Sequence, residues 1–140
     1  MKGMTMNKAM VLVLCGALAG CVVAETPATH ATNPANDFEA YCAACHGSTG
    51  KGDGAMAGDL AKKPADLTTL AARNKGVFPT TKVMAQIWGY AGKKGKGVMP
   101  DFGPLLEGDT VPYDGGDGIE TPTPVRLVAL AEYLKTIQSK

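Results

Sequence analysis

"YCAACHGSTGKGDG", residues 41–54, sets Cys42 and Cys45 three positions apart and puts His46 directly behind the second sulfur. Three chemistries use such a cluster: a zinc site, a redox dithiol, and covalent attachment of haem through two thioethers. The choice depends on how many further ligands the chain offers and on the compartment in which it works.

The compartment is written in the first 34 residues. Lys2 and Lys8 precede "AMVLVLCGALAG" (residues 9–20), an uninterrupted apolar and small-residue run. It is too short to span a bilayer as a helix and has the form of an export signal. Leu18-Ala19-Gly20-Cys21 resembles the lipobox of bacterial lipoproteins, in which the cysteine receives a diacylglycerol and becomes the first mature residue. Ordinary secretory cleavage after Val22-Val23-Ala24 is the alternative, giving a soluble periplasmic protein. Residues 1–20 are therefore read as a signal peptide and residues 21–35, rich in Ala, Thr and Pro, as a flexible tether. Residues 36–140 form a single domain. His30 belongs to the tether and is a solvated linker residue. In both readings the folded part lies on the periplasmic side, held at the membrane by lipid if Cys21 is acylated.

Of the four cysteines, Cys15 falls in the signal and Cys21 in the lipid site or tether, so Cys42 and Cys45 are the domain's own. Zinc wants four ligands, and no Cys or His follows His46. A thioredoxin-like dithiol belongs beside a strand–helix–strand pattern, which the flanking sequence lacks. Cys-x-x-Cys-His in an exported chain thus reads as a site for one covalent haem c. "NDFEAYCAACH" (residues 36–46) is helical in pattern, with Phe38, Cys42 and Cys45 on one face, so both sulfurs emerge beside the core. His46 follows as the proximal iron ligand.

An iron with two protein ligands carries electrons, whereas one open position favours small-molecule binding. Met56 lies ten residues past His46 and is too near to reach the opposite face. Met84 shares the helical pattern of "TTKVMAQIWGYAG" (residues 80–92) with Trp88, while Val83, Ile87 and Tyr90 form another apolar side. Both methionines read as packing residues. Met99 stands in the turn-rich "GKKGKGVMPDFGP" (residues 92–104), where an apolar Val-Met-Pro is out of place unless drawn inward, and is taken as the sixth ligand.

"CAACHGSTGKGDG", "KKPADLT", "GVMPDF" and the closing "VRLVALAEYLKTI" together resemble a class I monohaem cytochrome c of the small bacterial kind, over residues 36–138. The resemblance implies an all-α cytochrome c fold with its first and last helices crossing, thioethers at Cys42 and Cys45, and His46 and Met99 as axial ligands. It also implies that the carbonyl of Pro64 receives the His46 ring proton, with Pro79 as the other proline available.

The remaining elements follow from local pattern. Thr80 or Thr81 can cap a helix over Val83–Tyr90 that ends at Gly92. A shorter helix is expected from Asp66 to Gly76. Thr123-Pro124 opens the last helix, where Leu127, Leu130, Leu134 and Ile137 recur at three or four residues. Between Met99 and that helix, residues 101–120 carry Asp101, Glu107, Asp109, Asp114, Asp117 and Glu120 and no basic residue. Their alternation does not match an EF-hand loop, and the segment reads as a solvated insertion or a partner-docking loop. Lys93, Lys94 and Lys96 precede it, and the contrast can steer a partner toward the haem edge.

Without Lys2 and Lys8, 12 of the 14 basic side chains remain against 13 acidic ones. That balance argues against nucleic acid. The expected function is one-electron transfer by a monomer between membrane or periplasmic redox partners, as a carrier and not an enzyme, free or as a subunit of an oxidoreductase complex. The alternative is a gas sensor or peroxidase-like haem protein with an open axial position.

Overall fold

A computed structural model of the chain describes residues 33–90 and 98–139. The signal, most of the tether, Cys21, His30 and the lysines at 93, 94 and 96 lie outside the described residues.

Helix α1 (Pro34–Tyr41) starts inside the span assigned to the tether. Asn33 accepts from the backbone N–H of Ala35 at 3.1 Å, and Pro34 occupies the first turn, where its missing N–H costs nothing. The helix breaks at Cys42 and resumes as α2 (Ala43–His46). The expected short helix after Asp66 is instead two 3-10 turns, Leu67–Thr69 and Ala72–Asn74. Asp66 caps the first through its side chain, accepting from Thr68 N–H at 2.8 Å and Thr68 Oγ1 at 2.6 Å. Thr68 and Thr69 in the first turn bond through their hydroxyls to Asp66 and compete with a continuous helix, and left-handed Lys75 and Gly76 end the run.

Helix α3 (Thr80–Trp88) begins three residues before the expected Val83. It has no side-chain cap, so neither Thr80 nor Thr81 serves as one. It stops at Gly89, in the left-handed conformation that only glycine takes without strain, and not at Gly92. Met84 and Ile87 are buried, whereas Tyr90 lies past the helix end and is exposed. The last helix, α5 (Val125–Thr136), buries Leu127, Leu130 and Leu134 as its periodicity predicts, with Ala131 beside them, whereas Ile137 lies past the helix end and is half-buried. It starts at Val125, with Thr123 donating to Thr121 O instead of capping it.

The all-helical expectation fails at residues 101–124. Helix α4 (Gly103–Leu106) buries Leu106 in the core, so this part is no solvated insertion. Strands β1 (Thr110–Asp114) and β2 (Glu120–Pro124) then pair as an antiparallel hairpin. Alternating Thr, Val and Tyr supplies the strand preference. At the turn, Asp114 Oδ1 accepts from the N–H groups of Gly116, Asp117 and Gly118 at 2.7–3.0 Å, and these bonds hold its carboxyl below the usual carboxylate range. The prolines that argue against a strand fall where none is needed as a donor. Val125 N–H donates to Asp109 O in the same register, so Pro112 and Pro122 face each other in a non-hydrogen-bonded pair, their nitrogens turned outward.

The core lies where α1, α3, α4 and α5 meet, around Phe38, Leu106 and Leu130. The first and last helices pack together, with Phe38 tilted against Tyr133 at 5.4 Å between ring centroids. Arg126 on α5 locks this crossing: it reaches both oxygens of Asp37 at 2.7 and 3.0 Å and donates to Leu105 O at 2.6 Å. Both partners are partly shielded, so Arg126→Ala should destabilise the domain by about 2 kcal/mol in urea denaturation, the scale of charged hydrogen bonds left unmade. On the other side of α5, Tyr113 bonds to Glu132 and Lys135, tying the hairpin down. Gln138 accepts from Ala71 N–H and donates to Leu67 O and Leu134 O, which fastens the 3-10 segment to the end of α5.

Candidate functional site: the Cys42–His46 centre

Cys42 sits at the break between α1 and α2 and is buried, while Cys45, one turn on, is half-buried. Both are free thiols. Burial, reinforced by the negative fields of Asp37 and Cys45, pushes the Cys42 thiol up to about 11, so it is neutral near pH 7. Among the described residues no group of three or more His, Cys, Asp or Glu side chains could hold a metal ion.

His46 closes α2, and its Nδ1 lies 2.9 Å from the carbonyl oxygen of Ala65. A carbonyl can only accept, so Nδ1 carries the hydrogen and Nε2 keeps its lone pair for a metal. The acceptor expected at Pro64 is therefore one residue further along. The loop between the two segments explains the offset. Gly52 N–H donates to His46 O at 2.7 Å, Leu67 N–H donates to Gly50 O at 2.6 Å, and the Pro64 carbonyl faces Gly52 so closely that a Cβ there would come within 2.4 Å of it. With Pro64 turned to Gly52, the next carbonyl meets the imidazole. Pro79 stands at the start of α3. Because the acceptor is a backbone oxygen, side-chain identity carries little information about which residue supplies it.

Of the three methionines weighed as ligands, Met84 is 8% exposed, inside the core. Met56 is 51% exposed and does not pack as expected, its backbone N–H donating to Ala44 O. Met99 is half-buried against the core, in a segment docked on α3. Phe102 N–H donates to Ile87 O at 2.9 Å, and Gly103 lies so close to Trp88 that a Cβ would meet its carbonyl oxygen at 2.9 Å. The Met99 sulfur lies 3.8 Å from Gln86 Nε2. Sequence reasoning missed Gln86, and no sequence signal marks it: it lies one turn after Lys82 on the exposed face of α3. The six acidic residues of 101–120 are all exposed, and among the described residues none is in an ion pair.

The donor set fits a c-type haem: two reduced thiols for thioether bonds and, beside them, an imidazole already oriented through its other nitrogen. Residues 29–111, more than half of the chain, match the family described as "Cytochrome C oxidase, cbb3-type, subunit III". Comparison with curated proteins and with solved structures gives no match. The matched segment contains the Cys42–His46 cluster, Ala65 and Met99, and it ends as the hairpin begins. The chain thus belongs to this family and is a small c-type cytochrome that carries covalently bound haem c and transfers electrons.

Proposed function

We propose that the chain passes single electrons between membrane or periplasmic redox partners, with His46 and Met99 as the two axial ligands. The observation that carries the reading is the His46 ring, fixed by Ala65 with Nε2 left free beside two reduced thiols. Haem iron supplies the ferric/ferrous couple. Cys42 and Cys45 anchor the group, Ala65 keeps the imidazole from rotating, and the docking of Phe102 and Gly103 on α3 limits how far Met99 can move. Two fixed ligands keep coordination unchanged in both oxidation states, and the thioether raises the potential relative to two nitrogens.

The family's description supports a membrane oxidase as one partner and a role as an electron-entry subunit. A lipid at Cys21 and the tether would hold the domain near such partners on the periplasmic side. The exposed acidic surface of 101–120 supports a partner face of opposite charge.

Optical spectra of the haem-loaded protein, oxidised, reduced, and reduced under carbon monoxide, test the ligand set. A low-spin spectrum with the ferric methionine–iron band, indifferent to carbon monoxide, is expected. Loss of that band with carbon monoxide uptake would move the function to ligand binding.

A further inference from the structure

Helix α3 has a second face of interest, on the side away from Met99. Met84 and Trp88 stand two residues to either side of Gln86, which meets the Met99 sulfur, and so lie on the opposite face of the helix. Between that face and the hairpin runs a groove of about 310 Å³, lined by Met84 and Leu127 and by the rings of Trp88, Tyr90 and Tyr113. None of Cys42, Cys45, His46, Ala65 or Met99 lines it. Thr81 and Trp88, at its two ends, are about 10 Å apart along the helix. Its hairpin side, Tyr113 to Pro124, lies beyond the family match, which stops at residue 111.

Apolar surface is left open here. Tyr90 is 77% exposed and Ile119, in the hairpin turn, 64%. The Trp88 ring is fixed from one side, where a Cβ on Gly103 would come within 3.1 Å of two ring carbons, and Tyr90 stands 6.3 Å from it between centroids. Carboxylates mark both ends. Asp117 lines the groove near Gly115, whose carbonyl accepts from Thr81, while Asp101 lies against Gly89, just before Tyr90. The C-terminal end of α3 adds negative partial charge there. Residues 98–124 carry six acids and no base, and no basic residue lines the groove. Rings, apolar lining and carboxylates together suit a cation on an apolar stem. A planar guanidinium stacks on such rings, whereas an ammonium is more strongly hydrated.

We propose that this groove seats an arginine side chain of a protein partner, which holds the domain from behind α3 and leaves the Cys42–His46 centre uncovered for electron exchange, a role that rests on the electron-entry reading above. The test titrates the ferrous holoprotein with acetyl-Gly-Arg-Gly-amide and follows the indole N–H of Trp88, the chain's one tryptophan, by NMR. A saturable shift is expected, weakened by added salt. The citrulline peptide, equal in shape and uncharged, should bind about fivefold more weakly. Tyr90→Ala and Asp117→Asn should each weaken the arginine peptide about two- to fivefold, with the thermal midpoint unchanged because both side chains are exposed. Absence of a saturable shift, equal binding of the citrulline peptide, or equal binding to the parent and both variants overturns the proposal. Tetramethylammonium binding more tightly than the peptide also overturns it, making the groove a small-molecule site. A parent that takes up carbon monoxide yet binds the arginine peptide keeps the groove and loses the electron-entry role.

Discussion

The ferrous Met99→Ala holoprotein should bind carbon monoxide stoichiometrically where the parent binds none. Its midpoint potential should also fall by on the order of 0.1 V, a fraction of the roughly 0.8 V over which axial ligands set haem potentials. The reason is local. Met99 is the half-buried methionine of an irregular segment, and that segment is tied to α3 through Phe102 and Gly103 independently of the side chain. Under the proposed ligation, truncating the thioether opens a coordination position without releasing the loop, and the fold should survive. Carbon monoxide binding equal to the parent's would remove Met99 from the ligand set. Met84→Ala serves as a control: it should lower stability by about 2–5 kcal/mol, as buried truncations do, without changing ligand binding.

The second large effect is expected at Gly52. Its φ of +75° already disfavours a side chain, and a Cβ there would meet the Pro64 carbonyl oxygen at 2.4 Å. Gly52→Ala should cost roughly 2–4 kcal/mol from the left-handed conformation and the overpacking together. For a domain of this size that lowers the melting temperature by about 10 °C or more. The clash is with backbone, so relief must come from moving the Pro64–Ala65 segment, the same segment that orients His46. The ferric spectrum should therefore change along with stability. A variant that melts earlier but keeps the parent spectrum would show that Ala65 does not control the imidazole.

Chemistry was more legible in the sequence than architecture. Cys42, Cys45 and His46 carry their meaning in residue type and spacing, so no fold was needed to read them. The leucine spacing of residues 127–134 showed which face α5 buries, but its crossing with α1 was read from the family resemblance and not from any residue pattern. The His46 acceptor could not be read in the same way, because any residue offers a carbonyl and only the path of Gly50–Gly52 decides which one arrives. The hairpin was hidden by its three prolines, at 112, 122 and 124, which count against a strand in any linear reading. Their compatibility becomes visible only when the register is known. Leu105 and Leu106 were read with the acids around them, and Leu106 turned out to be among the best-buried side chains.

Those outward-facing prolines bear on how this molecule can meet others. A bare two-stranded ribbon on a surface is ordinarily an invitation to strand addition, by a partner or by another copy of itself. Here Pro112 breaks the row of donors on one margin, and Pro122 with Pro124 breaks it on the other. An incoming strand would meet a missing donor midway along β1 and two along β2, which interrupts a ladder on either side. Encounters at this surface are left to side chains, which form and release contacts faster than a shared ladder. Copies crowded together would likewise have no unbroken sheet edge along which to grow.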